Sequence, residues 1–272
     1  MQDDASRPED QNSQSPISGR PTRAWPDELG LAAAFLTRLP WPGTLPHDRR
    51  LMDAAWAFPA VGVAVGLIAA FGWWVADGFG LPATVAAIVA VAASALATGA
   101  LHEDGLADVA DGFGGGRDPE AKRRIMRDSH IGSYGVLALI LVTAAKLAAL
   151  SALPDAASAV AALVAAHALG RAAIPALARW QPPAATDGSG RAAGRPDAAG
   201  ALWPAAIGAV IAVAVLPGGI GVAAVLAVAA AAAGVGWLAR RQIGGVTGDV
   251  FGAAEQAGEL AVLLVAASYL GT

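Results

Sequence analysis

The sequence predicts an all-α fold: a polytopic transmembrane helical bundle of about seven spans with a short N-terminal interfacial helix. Three observations carry this reading. Only 15% of the 272 residues are charged and 56% are hydrophobic, whereas a soluble domain carries about 25% charged residues. The apolar residues fall in uninterrupted blocks, each approaching the ~20 residues that cross a bilayer. Among the connections between those blocks, Lys and Arg occur only in every second one, the pattern of a chain threaded back and forth through a membrane.

Residues 1–24 are polar, contain proline and lack hydrophobic periodicity, so a disordered tail is expected there. No apolar stretch follows a basic start, and no cleaved signal peptide is expected. In DELGLAAAFLTRLPWP, Asp27 is placed to cap a short helix that Pro40 and Pro42 end. It is too short to span and is expected to lie at the interface or pack on the bundle. Seven spans are then expected at roughly 54–76, 82–101, 133–153, 156–178, 202–217, 219–238 and 250–270. In the fifth, Pro217 and Gly218-Gly219 are compatible with a re-entrant turn. Trp73 and Trp74 stand where an aromatic belt would be.

Orientation follows from the charges. Arg38, Arg49 and Arg50 precede the first span; Arg117, Lys122, Arg123, Arg124 and Arg127 lie between the second and third. Arg179, Arg191 and Arg195 separate the fourth and fifth, and Arg240 and Arg241 the sixth and seventh. The alternate connections at 77–81, 154–155 and 217–219 contain neither Lys nor Arg. The N-terminus and the long loops are therefore expected in the cytoplasm, with the chain in the inner (cytoplasmic) membrane. The net charge of −4 is too mild to suggest a nucleic-acid partner, and the absence of cysteine excludes disulfides and thiolate sites.

The chemistry concentrates in LHEDGLADVADGFGGG, residues 101–116. At ~100° per residue, Asp104, Asp108 and Asp111 fall within about 60° on one helical face. Glu103 points to a neighbouring face, and His102 lies further round. Like charges at i, i+4 weaken a helix, so three on one stripe imply a neutralising partner. Hard oxygen donors suit Mg²⁺ or Mn²⁺, and Mg²⁺ is typically held by a few carboxylates together with substrate phosphates. Gly112, Gly114, Gly115 and Gly116 would allow the close backbone approach of a phosphate-binding turn; the competing reading is a solvated acidic loop. In the basic stretch AKRRIMRDSHIGSYG most cations suit the positive-inside pattern. Arg127 and Asp128, near His130 and Ser133, are the functional candidates.

A second polar cluster, GGVTGDVFGAAEQAGEL, places Asp249 after a glycine-rich turn and Glu255 and Glu259 one helical turn apart inside an apolar span. Carboxylates at such depth normally face the bundle interior and mark function; a polar packing contact is the alternative. Lys146 and Arg171 are intramembrane cations that would neutralise those acids or, near helix ends, snorkel. Two acidic clusters at the cytoplasmic side of one membrane-embedded domain, residues 25–272, fit metal-assisted phosphoryl transfer between an activated diphosphate and an alcohol.

At these residues the sequence resembles the cobalamin synthase family, the adenosylcobinamide-GDP ribazoletransferases of late vitamin B12 synthesis. The resemblance rests on FLTRLPWP (35–42), AFPAVGVAVG (57–66), TGALHEDGLADVADGFGGG (98–116), IMRDSHIGSYG (125–135) and GGVTGDVFGAAEQAGEL (244–260). It covers nearly everything after the tail, departing most at 184–200, where only Arg195 is a candidate. It implies a catalytic domain in which the ribose 3′-hydroxyl of α-ribazole, or of its 5′-phosphate, attacks the corrinoid-side phosphorus of adenosylcobinamide-GDP and GMP leaves. It further implies Asp104, Asp108, Asp111, Asp249 and Glu255 as metal ligands. Glu103 would be ligand or general base, with His102 competing as base. Arg127, Asp128, Lys146, Glu259 and Gly114–Gly116 would bind substrate. The lipid bilayer, a second copy of the chain and other corrinoid-pathway enzymes are the further partners implied. CDP-alcohol phosphotransferases and UbiA-type prenyltransferases use related metal logic with other aspartate spacings. An ion-coupled transporter using Glu255, Glu259, Lys146 and Arg171 is the rival from a different class.

Overall fold

A chain that lies in lipid must satisfy its backbone hydrogen bonds internally, and long Ala, Val and Leu runs do so as helices. The computed structural model describes residues 25–43, 45, 49–184 and 193–271, and the expected tail at 1–24 lies outside the described residues. The described residues form α1 (Trp25–Leu36), a 3-10 helix (Leu51–Ala57), α2 (Phe58–Gly78), α3 (Ala83–Thr98), α4 (Leu101–Gly115) and α5 (Pro119–Met126). There follow α6 (Ser133–Ser151), α7 (Ala156–Trp180), α8 (Ala198–Val215), α9 (Ile220–Ile243) and α10 (Gly248–Leu270). The fold is all-α. Among the described residues six helices are long and apolar enough to cross a membrane, seven if α3 and α4 together count as one broken span.

The exception is instructive. The expected straight span at 82–101 is a 16-residue helix, α3, after which α4 turns away by 91°. Sixteen residues rise only about 24 Å, short of the ~30 Å hydrocarbon core. The 202–217 segment, in contrast, is a continuous 18-residue helix, α8. Asp27 lies in the first turn of α1, where its charge suits the helix dipole, and does not stand at the cap. Trp73 and Trp74 split: Trp73 is packed in the core while Trp74 is exposed and stacks with Phe71. Neighbours on a helix point about 100° apart, so both cannot face one belt.

α7 is the central helix, buried along most of its length and packed on α2, α8, α9 and α10. Its closest partner is α2, where Gly62 and Gly66 lie against the α7 backbone at His167–Ala168 and Leu163–Val164. A Cβ at either glycine would collide with that backbone. This is the small-xxx-small approach by which membrane helices gain packing contact. It fixes the height and rotation of α7, and so the direction in which His167 and Arg171 project. α4 packs on α10, α6 and α5, so that the acidic helix closes one end of the bundle.

Candidate active site

The site begins at the break between α3 and α4. Gly99 and Ala100 both adopt left-handed backbone, with φ of 66° and 56°. Gly99 does so freely, whereas Ala100 carries a strain of about 1–2 kcal/mol. The Ala100 amide donates to Ala95 O at 2.8 Å, closing the end of α3. Arg38 braces the break: its amide donates to Ala97 O at 2.7 Å, and its side chain lies where a Cβ on Gly99 would be. The acidic stripe is thereby aimed across the bundle.

α4 then crosses the start of α10 at two glycines. Gly105 sits on the Asp249 backbone and Gly252 on the His102 backbone. This contact joins the two acidic motifs. Asp104, Asp111 and Asp249 all lie close enough to Asp108 to repel its charge, and Arg127 supplies positive charge to Asp249. Thr247 caps α10, accepting from the Val250 amide at 3.4 Å, and donates to Asp249 Oδ2 at 3.2 Å. Asp104 is exposed and Asp108 and Asp249 are half-buried.

Asp111 differs from its stripe neighbours. It is buried, and its two oxygens accept from the amides of Gly132 (2.7 Å) and Gly135 (2.9 Å) at the start of α6. It therefore caps α6 from outside, favoured by the helix dipole. A Cβ on either glycine would strike that carboxylate, which accounts for the IGSYG spacing. The glycines after Asp111 are not an open turn. Gly112–Gly115 complete the last turn of α4, and Gly112, Gly114 and Gly116 make room for Met126, Tyr134 and Lys122.

The basic stretch divides similarly. Lys122 bonds Gln242, and Arg123 donates to Ile243 O at 3.1 Å, so both fasten α5 to the end of α9. Asp128 is exposed and pairs with His130 Nδ1 at 2.7 Å; that hydrogen bond holds its carboxyl below the usual range. Arg195 donates to Arg179 O from Nε (3.1 Å) and Nη2 (2.6 Å), covering the end of α7.

A second assembly lies deeper. Glu255 and Glu259 on α10, Lys146 on α6 and His167 and Arg171 on α7 meet in the bundle interior, all buried. Lys146 Nζ donates to Glu259 Oε2 (2.6 Å) and Gln256 Oε1 (2.8 Å). Arg171 Nη1 stands 2.6 Å from Glu255 Oε1 and 3.0 Å from Glu259 Oε1, and His167 Nδ1 contacts Glu259 Oε1. The Arg171–Glu255 contact is ionic; its geometry is not that of a hydrogen bond. His167, Glu255 and Glu259 present ligand atoms within 4.8 Å of one another, the spacing of a metal site. Lys146 and Arg171 already neutralise the two carboxylates, so a dication would leave a buried charge of +2. Sequence reasoning missed His167 and Gln256. The i, i+4 spacing of His167 and Arg171 within an apolar helix was the available signal.

Lys146, Glu255 and Glu259 are thus brought to one another, and Asp104, Asp108 and Asp249 to one another. His102 belongs to both groups. Its Nδ1 lies 3.5 Å from Arg171 Nη2 and 3.6 Å from Glu255 Oε2, while the residue also lines a cavity beside Asp104 and Asp249. Glu103 turns toward the deeper assembly, where its charge reaches Lys146 and Arg171, and its Oε2 is buried without a hydrogen bond. The cavity measures about 190 Å³. Its remaining wall is apolar, built from Phe35 and Leu36 of α1, Leu51 and Met52 of the 3-10 helix, Phe58, and Ile174. α1 is held over it by Glu28, which accepts from Arg49 Nη1 (2.8 Å) and Trp56 Nε1 (2.5 Å).

Comparison with known proteins gives the family. Residues 28–267 match the model of a family described as cobalamin-5-phosphate synthase. An adenosylcobinamide-GDP ribazoletransferase of Bradyrhizobium diazoefficiens is 44% identical over 243 residues, covering 89% of this chain and 94% of that protein. The protein of the same name from Mesorhizobium japonicum is 44% identical over 246 residues, covering 90% and 95%. That of Azorhizobium caulinodans is 43% identical over 248 residues, covering 87% and 94%. No solved structure matches the chain.

Proposed function

The chain belongs to the cobalamin-5-phosphate synthase family, and from that premise we propose that it is the membrane transferase joining adenosylcobinamide-GDP to α-ribazole or α-ribazole 5′-phosphate. The observation that carries the reading is the crossing of α4 and α10, which gathers Asp104, Asp108 and Asp249 beside a cavity at the end of the bundle. In the reaction the ribose 3′-hydroxyl of the acceptor attacks the corrinoid-side phosphorus. A new phosphodiester forms, the bond to the bridging oxygen breaks, GMP leaves, and one proton is released from the attacking hydroxyl.

Three neighbouring carboxylates in a partly hydrated position offer the hard-oxygen donors that suit Mg²⁺, with Mn²⁺ as substitute. Asp104, Asp108 and Asp249 would hold it, and when bound it would supply neutralisation of the diphosphate charge as GMP departs. Arg127, beside Asp249, meets the same phosphates from the loop before α6. His102 and Asp104 are the proton acceptors at the cavity wall. Asp111 and the Glu255–Arg171–Glu259–Lys146 assembly act as the frame, setting where α4, α6, α7 and α10 stand. Those intramembrane charges are paired with one another, so they support a frame better than the relay of an ion-coupled transporter. The charge pattern of the connections supports an inner-membrane location with the site and N-terminus cytoplasmic.

The test is GMP release by detergent-purified protein incubated with adenosylcobinamide-GDP and α-ribazole, with and without Mg²⁺. Metal-dependent GMP formation that Asp104→Asn and Asp108→Asn abolish is expected. Unchanged release in both variants would overturn the metal assignment, and no release from the unmodified chain would overturn the activity.

A further inference from the structure

We infer that the cavity roofed by α1 and the 3-10 helix is the subsite for the aromatic base of the nucleoside acceptor, the apolar half of the molecule whose ribose hydroxyl reacts. The inference rests on the activity proposed above and assigns which substrate, and which part of it, enters. Size makes the first distinction. Pockets that enclose whole drug-sized ligands run to roughly 300–1,000 Å³, and a cavity of about 190 Å³ holds one fused ring system. A corrin macrocycle cannot enter.

Chemistry makes the second distinction. Three purine- or benzimidazole-sized rings are present among the substrates: the guanine of the GDP moiety, the adenine of the adenosyl group and the dimethylated benzimidazole of ribazole. Guanine and adenine both present donors and acceptors on two edges, and burying such groups without partners is unfavourable by several kcal/mol. The wall formed by Phe35, Leu36, Leu51, Met52, Phe58 and Ile174 has no side-chain hydrogen-bonding group to meet them. Dimethylbenzimidazole, joined to ribose through one nitrogen, keeps a single acceptor nitrogen and two methyl groups, which fit a hydrocarbon wall. The polar side of the same cavity is His102, Asp104 and Asp249. A base lodged against the apolar wall therefore delivers its ribose toward the carboxylates, with the diphosphate of the other substrate left on the open side by Asp108 and Arg127.

The construction of the roof supports this use. Glu28, buried, ties α1 to Arg49 and Trp56, and the Trp41 indole packs on Gly30 of α1. Met52 is bonded through its amide to Ala193 O at 2.9 Å, which carries the wall across to the segment before α8. These contacts hold the apolar wall at a fixed distance from the acidic side, as a size-selective subsite requires.

The experiment alters cavity volume from two sides and varies the size of the base. Leu51→Phe and Ile174→Phe narrow the cavity; Met52→Ala widens it. Steady-state KM is measured for adenosylcobinamide-GDP and for three acceptors: the ribosides of benzimidazole, dimethylbenzimidazole and a naphthimidazole. The narrowing variants are expected to raise the KM of the dimethyl acceptor about tenfold while leaving the KM of adenosylcobinamide-GDP within about twofold. They should also reverse the preference toward unsubstituted benzimidazole, and Met52→Ala should reverse it toward naphthimidazole. Loss of folding moves all acceptors alike and cannot produce a reversal of preference in opposite directions. A selective rise in the KM of adenosylcobinamide-GDP would place a purine of that substrate in the cavity and overturn the inference. An unchanged acceptor preference in all three variants would overturn it as well. If the unmodified chain released no GMP, the proposed activity itself would have failed, a result distinct from either.

Discussion

Replacing Arg171 by Met tests whether the deep polar assembly is the frame of the site. The guanidinium is 1% exposed and lies 2.6 Å from Glu255 and 3.0 Å from Glu259. With Lys146 it brings the formal charge of the two carboxylates and two cations to zero. At an effective dielectric constant near 20, one contact at that distance is worth about 6 kcal/mol of Coulomb attraction before desolvation is charged against it. Methionine fills most of the arginine stem but leaves two buried carboxylates to a single ammonium. Measured losses for removing one partner of a buried pair are about 3–5 kcal/mol, and Arg171→Met is expected in that range. The assay is denaturant or SDS titration in detergent followed by far-UV circular dichroism, with Arg171→Met/Glu255→Gln as the control. The double variant again balances one carboxylate against one cation, and should recover to within about 1–2 kcal/mol of the unmodified chain. A single variant less than about 1 kcal/mol below the unmodified chain would mean that the cluster is hydrated and its pairs weak. A double variant no better than the single one would refute the charge-balance argument.

Three further outcomes are expected. Asp111→Ala removes the acceptor of two amides at the start of α6 and should destabilise the protein by about 1–3 kcal/mol, read as a thermal shift. Gly99→Val forces a branched side chain into left-handed backbone and against Arg38, and should cost at least about 1–2 kcal/mol with reduced GMP release at saturating substrate. Because the chain contains no cysteine, single cysteines report topology directly. Asp155→Cys and Gly218→Cys should react with an impermeant maleimide from the outside of intact spheroplasts, and Arg195→Cys only after permeabilisation; the opposite result would invert the orientation.

Much of the site was legible because its signals are local. The i, i+4, i+7 spacing of Asp104, Asp108 and Asp111 needs only helical periodicity to be seen, and those residues do lie on one helix. Glu255 and Glu259 were readable as interior groups because an unpaired carboxylate in lipid is so unfavourable. What each residue faces was not legible. Asp111 and Asp108 are three positions apart on α4, yet one is claimed by the Gly132 and Gly135 amides while the other faces Asp104 and Asp249. Nothing in the spacing distinguishes them; the position of α6 does. The break after α3 had a local sign in Gly99, but Ala100 in left-handed backbone runs against its own preference, and the surrounding packing holds it there.

By itself the sequence determined the helical class, the rough limits of six of the seven expected spans and the motifs that bear charge, since each follows from hydrophobic run length and period. It also determined the family, through blocks of residues kept in order along the chain. The tertiary structure decided which charges meet. Gly62 and Gly66 set α7 against α2, Gly105 and Gly252 set α4 across α10, and those close crossings sort one long roster of polar residues into an open acidic group and a closed neutral one. Helix crossings depend on which small residues oppose each other across about 100 to 150 positions of chain, and packing of that range leaves no periodic trace in the sequence.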